Sequence, residues 1–388
     1  DSGRSFFTYD ALGNIIEQRD AKGQRIVLQY DEVNRLTHNQ SYAVDGSEED
    51  HLQYFYDEAA PEDRAQFSVR QGELYQVTDT FGGMKFSYDE NGNLKKQARL
   101  MAGLNGTFET EFKYYDDGRL SFIHYPKGQL ELEYLYDSSG KLNRVREARS
   151  LANYYIINSE RDYNELGQLT RETYGDSTED RYQYYDRSHR LQKLQTIKPG
   201  DEETEYRNLA FGYDAVRNIK VISDEHNTPS LNTGISNIQY DDLHRLRSYE
   251  TANDWEQRQS THFSYDTIGN MLRNDESFGA TYQYEDAHKL TSVGGAPIQY
   301  DANGNITLGR GRVYQYNARN RMSQVTLENG WSSQYVYDAS GQRVFKRVNK
   351  GDAGSEDTYY VGSLFEIRNK LLVHNVYAGN KLIAVLAR

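Results

Sequence analysis

The sequence predicts an all-β fold of consecutive β-hairpins that lie side by side in an antiparallel sheet. Three observations predict it. A short unit of tyrosine, aspartate, tight turn and aliphatic residue recurs along the chain. The segments before these units alternate polar and aromatic residues with the period of a strand, as in KFSYD at 85–89 and THFSYD at 261–266. Continuous helix periodicity is absent.

The repeated unit is Tyr, then Asp, Asn or Glu, then four variable residues and an aliphatic residue. Self-similarity of this kind is the signature of repeat architectures, in which each unit packs on its neighbours. The unit begins at Tyr9, Tyr30, Tyr88, Tyr136, Tyr163, Tyr185, Tyr213, Tyr240, Tyr265, Tyr284, Tyr300 and Tyr316. Variant copies begin at Tyr56, Tyr115 and Tyr337, and the copy at Tyr115 reads as a shortened form, YDDGRL.

Each unit carries the residues of a tight turn. The Asp side chain can accept hydrogen bonds from the backbone downstream of it, and the Gly three residues later suits a positive φ. Asn and His are also enriched at positive φ. In copies without Gly the position is occupied by Asn34, His189, His244, His288 and Asn320. Arg217 is the exception and predicts strain or a changed turn in its copy.

The tyrosine and the aliphatic residue of one unit are predicted to face each other across the bend, so that their side chains share one sheet face. A buried tyrosine ring removes roughly 150–250 Å² from water. At about 25 cal/mol per Å² this gives several kcal/mol for each repeat before the entropy of ordering is subtracted. A single hairpin is marginal. Stability must therefore come from stacking many hairpins.

The composition excludes several classes of protein. The 388 residues carry a formal net charge of −13, with 58 acidic and 45 basic residues, whereas nucleic-acid binding needs clustered Lys and Arg. The chain has no Cys, which excludes a disulfide framework and thiolate metal sites. No apolar run reaches the roughly 18 residues of a membrane helix. The sequence begins without methionine or signal peptide, which predicts a piece of a longer protein.

No catalytic or cofactor motif stands out. The histidines lack metal-ligand spacing, and we find no nucleophile elbow, phosphate loop or dinucleotide fingerprint. We therefore predict no catalytic residue, no metal and no cofactor. The candidate functional residues are instead the structural residues of the repeats: Tyr9, Asp10, Gly13, Tyr30, Asp31, Tyr88, Asp89, Gly92, Tyr136, Asp137, Gly140, Tyr163, Gly167, Tyr213, Asp214, Tyr240, Asp241, Tyr265, Asp266, Gly269, Tyr300, Asp301, Gly304, Tyr337, Asp338 and Gly341.

The units at Tyr9, Tyr30, Tyr88, Tyr240, Tyr265 and Tyr300 carry the signatures YDxxGN[LI] and YDxxxRL, with Met in the aliphatic position at the Tyr265 copy. They resemble the RHS or YD-repeat family of bacterial polymorphic toxins, the B and C components of insecticidal toxin complexes and, more distantly, animal teneurins. The resemblance implies a long antiparallel sheet that spirals into a hollow shell, or part of one, around a toxic C-terminal domain. The plug segment and DPxGL-type self-cleavage motif of bacterial members do not occur in this sequence.

The resemblance implies a non-enzymatic structural shell segment, bacterial and either secreted or at the cell surface, that encapsulates a toxin or effector domain encoded downstream. Its partners would be that cargo and a further shell or delivery subunit. The alternative is a cell-surface adhesion or carbohydrate-binding module whose exposed tyrosines stack on sugar rings. A third hypothesis is that the protein is an enzyme on an unfamiliar β scaffold. We predict a single domain, with the repeat shell at 1–354 and a terminal strand segment at 355–388 that closes the repeat run.

Overall fold

A computed structural model describes residues 3–104, 106–128, 130–149, 154–200, 202–226, 234–252, 258–277 and 280–387. Within these ranges the regular structure consists of β-strands and three short 3₁₀ turns, at Pro126–Gly128, Asp275–Ser277 and Gly351–Ala353. The predicted all-β fold of consecutive hairpins is confirmed.

The strands are, in chain order, Phe6–Tyr9 (β1), Ile15–Arg19 (β2), Arg25–Tyr30 (β3), Leu36–Tyr42 (β4), Glu48–Tyr56 (β5), Leu74–Asp79 (β6), Gly82–Tyr88 (β7), Leu94–Met101 (β8), Thr107–Tyr114 (β9), Leu120–His124 (β10), Glu131–Tyr136 (β11), Leu142–Glu147 (β12), Tyr154–Tyr163 (β13), Leu169–Tyr174 (β14), Glu179–Tyr184 (β15), Leu191–Lys198 (β16), Thr204–Tyr213 (β17), Ile219–Asp224 (β18), Ile235–Tyr240 (β19), Leu246–Ala252 (β20), Arg258–Tyr265 (β21), Met271–Asn274 (β22), Ala280–Glu285 (β23), Lys289–Val293 (β24), Ala296–Pro297 (β25), Gln299–Tyr300 (β26), Ile306–Gly309 (β27), Arg312–Tyr316 (β28), Met322–Leu327 (β29), Ser332–Tyr337 (β30), Arg343–Asn349 (β31), Ser355–Val361 (β32), Phe365–Arg368 (β33), Leu371–Ala378 (β34) and Lys381–Ala387 (β35).

Strands pair antiparallel with their neighbours in sequence. This order holds from β1 to β11, from β12 to β24 and from β26 to β35. Most strands that precede a repeat bend end on tyrosine, and the strand after the bend starts at the aliphatic residue. Short connections of this kind make each contact local, as expected for a repeat fold.

The chain folds into two compact units, each described here by itself. Unit 1 comprises Asp1–Glu133 and Pro297–Arg388, and unit 2 comprises Tyr134–Ala296. The predicted division into 1–354 and 355–388 stays a prediction.

Unit 1 is held together by contacts between hairpins from the two ends of the chain. The ring of Phe81 lies 5.2 Å from that of Phe345, and the ring of Phe108 lies 6.1 Å from that of Phe365. Phe108, Phe365 and Val361 are buried in one apolar cluster. Offset aromatic contacts of this kind add to the stability gained from burial.

Unit 2 buries a mixture of apolar and polar side chains. Val145 and Ile197 are fully buried, and so is the carboxylate side chain of Glu172. Tyr174 donates a hydrogen bond from its hydroxyl to Asp180 at 2.8 Å. A buried carboxylate is tolerated only with hydrogen-bond donors nearby, so this interior depends on polar contacts as well as on burial.

Candidate functional site

Repeat tyrosines reach the preceding repeat through their hydroxyl groups. The Oη of Tyr30 donates to the carbonyl oxygen of Ile15 at 3.1 Å, and Tyr240 donates in the same way to Ile219 at 2.8 Å. In each case the acceptor is the aliphatic residue that ends the preceding unit. The same bond joins Tyr56 to Leu36, Tyr88 to Leu74, Tyr114 to Leu94, Tyr184 to Leu169, Tyr213 to Leu191, Tyr265 to Leu246, Tyr284 to Met271 and Tyr337 to Met322.

These bonds form a ladder that runs from repeat to repeat, and we call it the tyrosine ladder. Its rungs are 2.7–3.1 Å long, which is the range of a good hydrogen bond. Burial raises the pKa of the hydroxyl in Tyr88, Tyr213, Tyr240 and Tyr265. A hydroxyl with a raised pKa stays protonated and so remains a donor at every ordinary pH.

Tyrosine and aliphatic residue pair across the bend as predicted. Tyr30 faces Leu36, Tyr213 faces Ile219, and the register shifts by one residue just before each tyrosine. Such a shift is a β-bulge, which increases the local twist of a hairpin. In the variant copy Tyr337 faces Arg343. Tyr9 begins the first repeat and is 55% exposed.

In two copies the ladder tyrosine lies one residue before the predicted one. Tyr114, not Tyr115, belongs to the ladder, and Tyr115 stands at the first turn position, where its N–H donates to the carbonyl of Arg119. The copy is therefore full length, not shortened. The sequence could have located Tyr114, because this tyrosine precedes Leu120, the aliphatic residue of the copy, at the spacing of the other units.

The second such copy has a turn that is longer by one residue. Tyr184 faces Leu191 and is the ladder residue. The N–H of Tyr185 donates to the carbonyl of Arg190 across the longer loop. The hydroxyl of Tyr185 donates instead to the carbonyl of Phe211 at 2.9 Å.

The aspartate after the ladder tyrosine accepts hydrogen bonds within its own turn. Asp10 Oδ1 accepts from the N–H of Leu12 at 2.9 Å and from that of Asn14 at 2.8 Å. Asp10 Oδ2 accepts from the side chain of Asn14 at 2.9 Å, and this bond is the main reason why the pKa of Asp10 is lowered. The two backbone bonds from Oδ1 recur at Asp31, Asp89, Asp137, Asp214, Asp241, Asp266, Asp301 and Asp338, and at Asn164 and Asn317.

The fourth turn position has a positive φ where glycine was predicted to require it. Values run from 77° at Gly167 to 99° at Gly269 and include Gly13, Gly92, Gly140, Gly304 and Gly341. Asn34, His189, His244 and Asn320 also have positive φ. The prediction for His288 is wrong, because the positive angles fall on Asp286 (47°) and Ala287 (64°). Glu285 pairs with Lys289, so a three-residue loop at 286–288 makes the bend in this copy.

Arg217 adopts the turn of its neighbours despite its side chain. Its φ is 86°, and its N–H donates to the carbonyl of Asp214 at 3.2 Å as the glycines do in other copies. The left-handed conformation costs a residue with a Cβ about 1–2 kcal/mol. Of the two predicted outcomes, strain or a changed turn, the structure therefore shows a strained residue in an unchanged turn.

Successive turns also touch each other through the residue that follows the positive-φ position. The two terminal nitrogens of the Arg35 guanidinium donate to the carboxylate of Asp57 at 2.6 and 2.8 Å, and these bonds lower the pKa of Asp57 to about 2. In unit 2 Asn218 contacts the ring of His244 at 3.0 Å. The rim of the sheet is thus a row of linked turns.

Two C-terminal turns of unit 1 dock on its N-terminal hairpins. The Asn303 amide donates to Asp20 Oδ2 at 2.5 Å and accepts from the N–H of Lys22 at 3.2 Å. Arg319 donates to Asp50 at 3.0 Å and to the Asn39 side chain at 2.7 Å. Sequence analysis missed both residues, because nothing in their local pattern distinguishes them from exposed turn residues.

A cavity of about 700 Å³ lies beside these turns in unit 1. Its walls include Tyr314, Tyr316, Tyr335, Tyr337 and Arg321. The part of the chain that the structure describes has no cluster of three or more His, Asp or Glu side chains placed to hold a metal ion. Nor does any helix in it have the length and apolar character needed to span a bilayer.

Comparison with known families explains the repeated unit. A family model for the RHS repeat matches residues 9–47, and a model for the teneurin YD-shell matches residues 191–355. These two segments of the chain are similar to RHS and YD repeats. In the YD unit the tyrosine (Y) donates the ladder hydrogen bond, and the aspartate (D) accepts hydrogen bonds within its own turn. A search of curated proteins found no match.

Solved structures share the RHS/YD-repeat fold over nearly the whole chain. The crystal structure of TcdB2-TccC3 matches with a TM-score of 0.79 and 18% identity, covering 97% of this chain and 22% of that chain. The Photorhabdus luminescens Tc holotoxin pore matches with a TM-score of 0.80 and 19% identity, covering 97% of this chain and 21% of that chain. The crystal structure of TcdB2-TccC3 without its hypervariable C-terminal region gives 0.79 and 19%, covering 98% and 21%. The chain thus spans about a fifth of the length of these relatives.

Proposed function

We propose that the chain is a non-enzymatic wall segment of an RHS-repeat toxin, and that the wall encapsulates a C-terminal toxin or effector domain. The tyrosine ladder carries this proposal. It joins one hairpin to the next by side-chain bonds that add to the strand pairing. The fold shared with TcdB2-TccC3 chains supports the same function. We place the protein outside a bacterial cell, secreted or at the cell surface.

The wall would act by containment, so its repeat residues would be structural. In this proposal the tyrosines hold adjacent hairpins, the aspartates close the bends, and the glycines allow the backbone to turn. A domain behind such a wall cannot reach a substrate until a delivery partner or a further shell subunit opens it. The net charge of −13 favours a basic cargo.

We assign the end of the repeat run to the segment 355–388. Its strands continue the pairing of β31 without a further tyrosine–aspartate unit. The hydroxyl of Tyr125 donates to the carbonyl of Asn375 at 2.7 Å and ties this segment to an N-terminal hairpin. Strand pairing with β31 and the hydrogen bond from Tyr125 both anchor this segment, which suits it to end the wall.

Protection of a joined domain tests the proposal. A reporter domain with one inserted site for a specific protease is fused after Arg388, and its cleavage is compared with that of the free reporter. We expect slower cleavage in the fusion, and faster cleavage again when Tyr240→Phe and Tyr265→Phe remove two ladder bonds. Tyr206→Phe is the matched control, because Tyr206 is 55% exposed and lies outside the ladder. Equal cleavage of the fused and free reporter contradicts encapsulation.

A carbohydrate-binding or adhesion function is the second candidate, because of the tyrosine-lined cavity in unit 1. Aromatic rings stack on apolar faces, and Arg321 and Asp50 at the cavity walls could bond hydroxyl groups. A glycan array distinguishes the two functions. Specific binding that Tyr335→Ala abolishes would favour adhesion, whereas no binding to any glycan would remove this candidate.

A further inference from the structure

The residue that follows the positive-φ position of a turn is an arginine in several repeats, and in two of them the turn itself compensates its charge. Arg35 Nε donates to Asp31 Oδ2 at 2.7 Å, and Arg245 Nε donates to Asp241 Oδ2 at the same distance. In both copies the aspartate directly follows the ladder tyrosine. The carboxylate of the repeat unit therefore neutralises the arginine of the same unit.

The turn at 316–322 departs from this pattern. Asn317 stands where the two other copies have aspartate, while the arginine is kept as Arg321. Asn317 Oδ1 still accepts from the N–H of Arg321 at 2.9 Å, so the backbone of the turn is held as before. In the copy with Asn164 at this position, the residue that corresponds to Arg321 is the neutral Gln168. Arg321 thus keeps a positive charge that its own turn does not compensate.

The guanidinium of Arg321 is held in place without an acid. Nη1 donates to the carbonyl oxygen of Asp338 at 3.1 Å, and Cζ lies 5.8 Å from the centre of the Tyr337 ring. A Cβ added to Gly341 would lie 2.5, 2.7 and 3.1 Å from Nη2, Cζ and Nε, so the flat guanidinium packs on this glycine. Among the described residues Nε and Nη2 have no acceptor. These two N–H groups form one edge of the guanidinium, and such an edge binds a carboxylate with two parallel hydrogen bonds.

Arg321 lines the cavity of about 700 Å³ in unit 1, and the other buried charges of its wall compensate one another. Lys22 lies 3.3 Å from Asp301, and Arg319 lies 3.0 Å from Asp50. The third acid of the wall, Glu49, is exposed. Solvent screens an exposed carboxylate more strongly than a half-buried guanidinium. The wall therefore offers one half-buried positive charge to a ligand.

We propose that this cavity binds a small monocarboxylic acid built on a ring, and that Arg321 binds its carboxylate. The volume is in the range of small-molecule sites. The half-buried side chains of Tyr314, Tyr316, Tyr335 and Tyr337 supply ring faces on which a cyclic ligand packs. One guanidinium compensates one negative charge, which favours a carboxylate over a phosphate dianion.

The inference goes beyond encapsulation and does not depend on it. It rests on the carbohydrate candidate only in sharing that cavity, and it narrows the ligand to an acid. An aromatic acid and a sugar acid both carry a carboxylate on a ring, so the test includes one of each.

Isothermal titration calorimetry of the intact chain with sodium benzoate and with sodium glucuronate provides the test. Benzoate carries its carboxylate on an aromatic ring and glucuronate on a sugar ring, and glucose is the neutral counterpart of the second. We expect saturable binding of at least one acid and no binding of glucose. Which acid binds identifies the kind of ring that the tyrosines accept.

Asn317→Asp is the most specific variant, because it restores the carboxylate that Asp31 presents to Arg35 and keeps the acceptor on which the turn depends. It should weaken binding of the acid at least about tenfold, since the new carboxylate occupies the guanidinium. Arg321→Gln should weaken binding as much. Unchanged circular dichroism of Asn317→Asp separates lost binding from lost folding.

Arg190→Gln is the matched control. Arg190 follows the positive-φ residue His189 in a turn of unit 2, and its guanidinium lies 5.1 Å from the ring of Tyr213. This variant should bind the acid as the wild type does, which separates binding at Arg321 from attraction to any arginine of the turns.

Three results overturn the proposal. They are the absence of saturable binding of either acid, equal binding of glucose and glucuronate, and binding that Asn317→Asp leaves unchanged. None of them bears on encapsulation. Binding of a neutral glycan that Arg321→Gln leaves unchanged would support the carbohydrate candidate and contradict the acid site.

Discussion

The hydroxyl of Tyr240 donates a 2.8 Å hydrogen bond to the carbonyl oxygen of Ile219, the residue that closes the preceding repeat. Ile219 in turn faces Tyr213 across its own bend. One tyrosine therefore connects two bends, its own and the one before it. A repeat that lost this hydroxyl would still form its turn but would be less firmly attached to its neighbour.

Tyr240→Phe should lower the free energy of unfolding by about 1 kcal/mol, the net value of one such hydrogen bond. The ring stays and only the hydroxyl is lost, so apolar burial is preserved. Denaturant unfolding followed by circular dichroism measures the change. Tyr206→Phe should have no measurable effect. An equal loss in both variants would show that the ladder bond adds nothing.

Arg217→Gly should raise the stability of unit 2 by about 1 kcal/mol, because glycine adopts the left-handed conformation without the steric cost of a Cβ. The φ of 86° at Arg217 and that of 99° at Gly269 belong to the same turn position. Gly269→Ala should therefore be destabilising by a similar amount. Thermal unfolding of the two variants checks both signs. A destabilised Arg217→Gly variant would mean that the arginine side chain makes a contact worth more than the strain.

The repeat bends could be predicted from the sequence because their causes are local. The Asp side chain, the positive-φ residue and the facing aliphatic residue all lie within one unit, as at Asp10, Gly13 and Ile15. The prediction for His288 failed for a local reason as well, since a three-residue loop with positive φ at Asp286 and Ala287 fits the same stretch.

The ladder and the docking of Asn303 and Arg319 could not be predicted in the same way. The ladder acceptor is a backbone carbonyl, which every residue has, so the identity of Ile219 does not indicate that its carbonyl accepts this bond. Asn303 and Asp20 are 283 residues apart, and an Asn at this turn position looks the same in the sequence whether it is docked, as at Asn303, or exposed, as at Asn91. Only the packing of distant hairpins against each other decides whether such an Asn is docked or exposed.

Acid should weaken unit 1 through the carboxylate of Asp57. Its pKa is lowered to about 2, first by the hydrogen bonds from Arg35, whereas an unfolded Asp titrates near 3.9. A lowered folded-state pKa gives stability that is present above about pH 4 and is lost as the pH falls toward 2. Unfolding midpoints measured from pH 5 to pH 2 should therefore fall more steeply in the wild type than in Asp57→Asn. Parallel curves would show that this pair does not contribute.

Arg319→Ala should destabilise the contact between the N- and C-terminal hairpins of unit 1. The Arg319 side chain is 9% exposed and that of Asp50 is 20% exposed, so the substitution leaves a largely buried carboxylate without its cation. Loss of one partner of a buried pair costs about 3–5 kcal/mol, and the partial exposure of Asp50 places the expected loss nearer 2–3 kcal/mol. Arg319→Lys should not restore stability, because one ammonium cannot bond Asp50 and Asn39 in the planar geometry of a guanidinium.

Hydrogen exchange locates this effect. In Arg319→Ala, amide protection should fall in β4 and β5, which carry Asn39 and Asp50, and should be unchanged in β16 and β17 of unit 2. Arg187→Ala, at an exposed turn residue of unit 2, should leave both regions as they are. Because Arg319 docks on these strands and is not part of them, the exchange of β4 and β5 should become faster without reaching the rate of an unfolded chain. Unchanged protection in Arg319→Ala would mean that the aromatic contacts of Phe81 and Phe108 suffice to hold the hairpins together, and that the docking of Arg319 adds no stability.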